Sequence, residues 1–405
     1  MNIIVVGGGA AGFFAAINCA QQHPNFSVTL LEKSAKVLSK VRVSGGGRCN
    51  VTHACLDNSL LVKYYPRGEK ELRSVFSRFA VADTINWFER RGVQLKTEAD
   101  GRMFPVTDSS ETIVNCLIRE AEQANVKIKL NVDIEQINAN ADGSFTLKVK
   151  GGGDFLCDKL IIASGGNPKE EGYKWLQNLG HTIIKPVPSL FTFNIPNNTV
   201  TQLMGVAVPH AKVRVPAIKL ESEGPLLITH WGLSGPAVLK TSAWGARQLN
   251  DLNYQFTALI SWLPKYNDEK IRVEFVNQRE DFGSKTIVNN CPFELPKRLW
   301  EYFVTKAGID TTVRWADLSK KSSNVLASIL IADEYKVVGK TTFKEEFVTC
   351  GGVSLKEVDL ATMQSKIVPN LYFAGEVIDV DGITGGFNFQ NAWSTSYIAA
   401  SSLNV

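Results

Sequence analysis

Two apolar runs, at residues 3–6 and 28–31, flank a stretch of small residues at 10–20. Short apolar runs bounded by glycine or polar clusters predict buried strands, and the stretch between them predicts a helix. Further along, Leu72, Phe76, Phe79, Ile85, Trp87 and Phe88 recur at roughly helical spacing and predict a helix over 69–91. Residues 101–105 read as a turn and 109–124 as another helix, and strands are predicted at 127–130, 134–139, 144–149 and 158–163. From about Pro186 the rhythm changes to short strand-like runs separated by Pro, Asn and Gly, at 190–195, 211–215, 217–220 and 226–229. That rhythm suggests a small β-barrel or folded sheet. Residues 236–330 are mostly helical in pattern, with a strand at 256–261 and helices at 296–307 and 318–331, and strand character returns at 335–342. Residues 371–374 are apolar again and run into Gly375-Glu376, with a helix starting near Gln390.

The last strand thus repeats the strand-then-glycine logic of the first. The expected fold is α/β, a Rossmann-like nucleotide-binding domain at 1–187 and 347–405. It is interrupted by an insertion with a β-barrel part (188–255 and 332–346) and a helical part (256–331).

The link between the first strand and helix reads Gly7-Gly8-Gly9-Ala10-Ala11-Gly12, and Glu32 closes the second strand twenty residues later. Each position has a physical duty. Gly7 permits a tight turn, Gly9 lets the backbone approach a pyrophosphate, and Gly12 lets helix and strand pack closely. The helix N-terminus offers unpaired N–H groups and a positive dipole end to phosphates. Glu32 is placed to accept from a ribose 2′-hydroxyl and would repel a 2′-phosphate. The pattern therefore predicts FAD or NAD. An NAD dehydrogenase would normally carry one fingerprint and a catalytic residue in a second domain, whereas a flavoenzyme of this type returns to its cofactor with its last strand and helix. Here Gly375-Glu376 can place a carboxylate on ribityl hydroxyls. Gly385-Gly386-Phe387-Asn388 can let a planar ring lie against backbone at a helix N-terminus. FAD is the expected cofactor. No second glycine fingerprint follows a strand, so NAD(P)H would act only as a transient reductant over the flavin.

Composition changes this picture little. The 44 basic and 40 acidic residues give a net charge of +4, which argues against nucleic acid as a partner and gives no sign of a membrane. One local bias stands out: Lys33, Lys36, Lys40, Arg42 and Arg48 fall in a stretch without an acid, either a solvated basic loop or a contact for phosphate or an anionic substrate. Seven scattered cysteines without CxxC suit free thiols in a reducing compartment, and five histidines show no metal-ligand spacing, so no metal is expected. No long apolar span is present. A cytoplasmic protein with a small-molecule substrate is expected; the oligomeric state is left open.

Five separated motifs carry a resemblance: Ser44-Gly45-Gly46-Gly47-Arg48-Cys49-Asn50, Gly101-Arg102-Met103-Phe104-Pro105, Thr229-His230-Trp231-Gly232-Leu233-Ser234-Gly235-Pro236, Thr349-Cys350-Gly351-Gly352-Val353 and Gly375-Glu376-Val377-Ile378-Asp379. Across essentially the whole chain the sequence resembles a bacterial family of NAD(P)/FAD-dependent, aminoacetone-oxidase-like oxidoreductases. The resemblance implies a glutathione-reductase-type FAD domain with a barrel-plus-helical insertion. It also implies FAD contacts at Gly7, Gly9, Ala11, Gly12, Glu32, Lys33, Gly46, Arg48, Cys49, Ser164, Gly165, Gly375, Glu376, Gly386, Phe387 and Asn388.

For catalysis the residues single out three groups. Arg48 could meet the pyrophosphate or a substrate anion, or be a structural ion pair. His230 could exchange a proton above the flavin, or be a structural histidine. Asp379, with Asp381, could approach the flavin ring or serve in turn formation. Cys49 and Cys55 are read as thiols, not as a redox disulfide. The expected reaction is hydride transfer between a small organic substrate and flavin N5, by amine oxidation or by reduction of an activated C=C bond. An FAD-dependent RNA-modifying enzyme and a non-enzymatic flavin protein are the alternatives.

Overall fold

In the computed structural model, which describes residues 1–341 and 348–403, the chain divides into two compact units. One is Met1–Ser189 with Phe343–Val405 and the other is Leu190–Thr342.

The first unit is built on a seven-stranded sheet. Its five parallel strands run in the order Leu371–Phe373, Lys159–Ile162, Asn2–Val6, Ser27–Leu31, Lys127–Lys129. An antiparallel pair, Val358–Asp359 and Gln364–Ser365, extends the sheet beyond Leu371–Phe373. The central strands read as apolar runs because a parallel sheet is covered on both faces, and Ile3, Val5, Leu160, Ile161 and Phe373 are buried. Helix Ala10–Gln22 packs with the terminal helix Phe387–Ser401. Phe14 meets Trp393 at 5.2 Å between ring centroids, and the Ser396 hydroxyl donates to the Ala11 carbonyl at 2.8 Å. The first and last helices of the chain thus share one core.

Three local expectations need correction. The predicted helix at 69–91 is two helices, Leu72–Phe76 and Val81–Glu89. Ala80 is extended (φ −126°), and its N–H donates to the Asp83 carboxylate, which starts the second helix afresh. Residues 101–105 are mostly strand, because Arg102–Pro105 pairs with both Thr52–His53 and Leu95–Thr97. The predicted strand at 217–220 begins instead as a 3₁₀ turn, Pro216–Ile218, followed by Lys219 at φ 53°. Proline opens that turn, which joins strands Ala207–Val215 and Leu220–Thr229 into a hairpin.

The second unit contains a seven-stranded antiparallel sheet. Its end strands, Asp333–Val338 and Lys340–Thr341, are consecutive in the chain, so the sheet closes on itself through Gly339. Gly339 donates to the Tyr254 carbonyl and accepts from Asn194 N–H, tying the two ends together. Helices Asp268–Phe282, Lys297–Lys306 and Lys320–Ala332 share one hydrophobic core with these strands, with Val213, Ile260, Trp262, Trp300, Phe303 and Leu326 all buried in it. The buried Asp333 carboxylate pins that core, accepting from Tyr335 Oη at 2.5 Å and Trp262 Nε1 at 3.2 Å, with Lys306 at 2.5 Å. The end of the predicted strand at 342 and the expected boundary at 346 lie outside the described residues.

Candidate cofactor and active site

The opening glycines are glycines for steric reasons. Gly7 has φ +114°, and a β-carbon there would stand 2.3 Å from the Ala163 carbonyl oxygen. At Gly12 it would stand 1.7 Å from the Gly7 carbonyl oxygen, so helix and strand lie too close for any side chain. Gly9 differs: nothing lies within 4 Å of that point, and Gly9 opens its helix without a side-chain cap. Glu32 Oε2 accepts from Gly8 N–H at 2.6 Å and Oε1 from Ser34 N–H at 2.8 Å. Two amides thus hold the carboxylate in place, and its remaining lone pairs can serve a ribose.

A cavity of about 570 Å³ opens at the carboxyl ends of the central strands and is lined by Gly7, Glu32, Lys33, Ser164 and Gly165 among others. In open α/β sheets ligands bind in that crevice. Sequence reasoning missed its far wall, which includes Val132, Tyr173 and Trp175. Val132 comes just after strand Lys127–Lys129, so the carboxyl-end rule could have found it. Tyr173 and Trp175 carry no comparable signal. The Tyr173 hydroxyl, its pKa pushed up to about 12 by burial, accepts from Asn167 N–H and fixes the loop after Gly166.

The returning strand completes the site. Gly375 has φ +74°, and its β-carbon would meet that of Ala11 at 2.7 Å, so this turn packs directly on the first helix. Glu376 accepts from Thr349 N–H at 2.8 Å and pairs with Lys40 at 2.8 Å. Gly386 (φ +93°) caps the terminal helix without a side chain, and its backbone lies against Thr52, where a β-carbon would come within 2.6 Å. The Asn388 amide both accepts from Gly382 N–H and donates to Gly382 O, closing the loop. Phe387 stacks against His53 and Tyr64, at 4.7 and 4.5 Å between centroids. Gly46, Gly47 and Gly165 have nothing within 4 Å of their would-be β-carbons. Two uncapped helix N-termini, open glycine faces and the carboxylates of Glu32 and Glu376 in the turns after their strands fit FAD.

Three of the cations in the basic stretch are held by acids. Arg42 pairs with Glu111 at 3.0 Å, Lys40 with Glu376, and Arg48 with Glu98 at 2.5 Å. Arg48 also lies 4.0 Å above the Phe104 ring, so of its three readings the structure displays the ion pair. Cys49 is fully buried with φ 59°, and burial pushes its thiol up to about 12, a poor nucleophile. Cys49 and Cys55 are both free. Asp379 is half-buried, and its N–H donates to Val353 O. Asp381 is wholly buried, with Arg67 Nε 2.5 Å from Oδ1 and Ser189 Oγ 2.7 Å from Oδ2. Burial pushes this carboxyl up, and Arg67 opposes the shift. His230 belongs to the second unit, exposed at a strand end with its ring against Trp231. Among the described residues no group of three or more His, Cys, Asp or Glu could hold a metal, and no helix is long and apolar enough to cross a membrane.

A Rossmann-like domain with these features is that of an FAD-dependent oxidoreductase. The chain belongs to the family described as HI0933-like protein Rossmann domain, whose model matches residues 1–402. It is 31% identical to a ribosomal RNA dihydrouridine synthase of Escherichia coli strain K12, over 99% of this chain and 98% of that protein. It is 28% identical to a 3-dehydro-bile acid Δ4,6-reductase of Clostridium scindens, over 98% of each chain. In fold it is similar to a 3-ketosteroid-Δ4-(5α)-dehydrogenase from Rhodococcus jostii RHA1, with a TM-score of 0.52 and 11% identity over 98% of this chain and 96% of that one. The narrower aminoacetone-oxidase label gives way to this broader family.

Proposed function

We propose that the protein reduces a C=C bond conjugated to a carbonyl group. The observation that carries this reading is that two full-length relatives with different substrates are both named for saturating or reducing such a system. A dihydrouridine synthase saturates the uracil C5=C6 bond, conjugated to C4=O, and a Δ4,6-reductase acts on a conjugated steroid ketone. These names favour C=C reduction over amine oxidation. When bound and reduced, FAD supplies a hydride for the β-carbon of the acceptor, and a proton completes the α-carbon. The chain's own part is binding and proton supply. The N–H groups at Gly9 and the first helix turn hold the pyrophosphate, Glu32 the adenosine ribose, and Glu376 the ribityl hydroxyls. The uncapped N–H groups of the first turn after Gly386 would stabilise negative charge on the flavin pyrimidine edge. Asp379, in the cofactor unit, is the group assigned to the proton. Electrons come from NADH or NADPH docking transiently.

Uridine in ribosomal RNA is a second reading, favoured by the E. coli relative. The test is anaerobic. The yellow protein is bleached with NADH or NADPH, and then a steroid-like enone or rRNA lacking dihydrouridine is added. Re-oxidation by enone supports the first reading, and dihydrouridine appearing in digested rRNA supports the second. Bleaching by amines alone, with neither acceptor restoring colour, would overturn both.

A further inference from the structure

We propose that Lys40 is a phosphate-binding residue of the FAD site. Its ammonium pairs with Glu376, and from that place it is within the reach of a lysine stem of the pyrophosphate of FAD. The inference rests on FAD as the cofactor and singles out one residue of the basic stretch at 33–48, whose sequence left a solvated loop and a phosphate contact both open.

Lys40 Nζ lies 2.8 Å from Glu376 Oε2, with the lysine side chain 45% exposed and the glutamate 17%. Lys40 lies in the segment leaving strand Ser27–Leu31, and Glu376 in the turn leaving strand Leu371–Phe373. Strands Asn2–Val6 and Lys159–Ile162 lie between those two. At about 4.8 Å per neighbour the flanking strands are ~14 Å apart, a gap crossed by the segment from Leu31 to Lys40 and the ion pair together. The Lys40 end is docked on the glycine turn itself, because Leu38 N–H donates to the Gly8 carbonyl at 2.8 Å. The Glu376 end abuts the other glycine loop, where a β-carbon on Gly166 would meet Glu376 Oε1 at 2.7 Å.

Charge makes this placement useful. A pyrophosphate at Gly9 would share the crevice with the Glu376 carboxylate, and the two anions repel without a cation between them. Arg42 and Arg48 are directed to Glu111 and Glu98. Lys40 has a flexible stem and three donors, so it can turn to phosphate. Glu376 keeps its bond from Thr349 N–H and stays in place when the lysine leaves.

The test uses flavin-stripped protein titrated with FAD, by fluorescence quenching, and with ADP, by competition, at low and high salt. Lys40→Met is expected to weaken both ligands by about ten- to a hundredfold, the value of a charge-assisted bond. It should also flatten the salt dependence, and Lys40→Arg should stay within a few-fold of wild type. Unchanged or tighter FAD binding by Lys40→Met overturns the proposal. So does weaker FAD binding with unchanged ADP affinity, which would put the lysine on the flavin half. Thermal melting of each stripped protein checks folding. If Lys40→Met does not fold, the wild type decides alone: FAD affinity insensitive to salt overturns the assignment. Wild-type protein that binds no FAD would instead overturn the cofactor assignment itself.

Discussion

The two units use side chains in opposite ways. In the cofactor unit the decisive positions are those where a side chain is missing. Gly7, Gly12 and Gly386 let backbone meet backbone, Gly375 clears the Ala11 β-carbon, and Gly9 and Gly165 leave room for a ligand. In the inserted unit the decisive positions are filled, with Trp262, Trp300, Trp315 and Tyr335 packed into one core in which Trp262 and Tyr335 donate to the Asp333 carboxylate. A cofactor shared by many proteins imposes one backbone shape, whereas a packed core can be filled in many ways.

The contrast is broken most severely at Gly12. Gly12→Val would force a β-carbon to 1.7 Å from the Gly7 carbonyl, so the variant is expected to be purified without flavin, as its visible spectrum would show. Retained flavin would mean that the helix can shift and that the close packing is incidental. Trp300→Ala tests the other half. Trp300 is buried and donates to the Ile287 carbonyl at 2.8 Å, so truncation is expected to cost about 3–5 kcal/mol in urea unfolding. The protein still folded should keep its flavin, and equal loss of flavin in both variants would erase the distinction.

The smallest expected effect lies at His181, in the cofactor unit. Its ring packs edge-on against Phe373 of the returning strand, with Glu357 3.3 Å from Nδ1 and Ser365 3.2 Å from Nε2. Burial holds its pKa below the ordinary 6.5, although Glu357 pulls the other way. With the folded pKa depressed, the unfolded chain binds more protons between the two values. The stabilisation is therefore full above pH 6.5 and is lost as pH falls through the folded value. The urea midpoint should fall from pH 7 to pH 5, and less so in His181→Gln. A midpoint rising on acidification would show that the Glu357 ion pair outweighs burial.

These differences explain what could be read in advance. The strand–glycine–helix opening and the return at Gly375-Glu376 were legible because a backbone near-collision leaves one residue type and so prints itself on the sequence. The break at 77–80 was not, because apolar spacing continues across it and only the Ala80–Asp83 bond marks the new start. Arg48 was legible as a cation with an ion pair among its readings, but its partners Glu98 and Asp108 lie 50 and 60 residues away, so which acids it meets could not be read. The cavity wall at Tyr173 and Trp175 was silent for a related reason: it is made of ordinary side chains in a loop.

The interlocked first and last helices also bear on when the protein becomes competent. Residues 190–342 are contiguous, so that unit is complete while the ribosome is still making the rest. The flavin-binding sheet has no such freedom. Its strand Asn2–Val6 and helix Ala10–Gln22 are made before the inserted unit, and strand Leu371–Phe373 and helix Phe387–Ser401 after it. Contacts of such long sequence separation close slowly. The glycine fingerprint therefore waits, while the whole inserted unit is made, for the strand and helix that complete its grip.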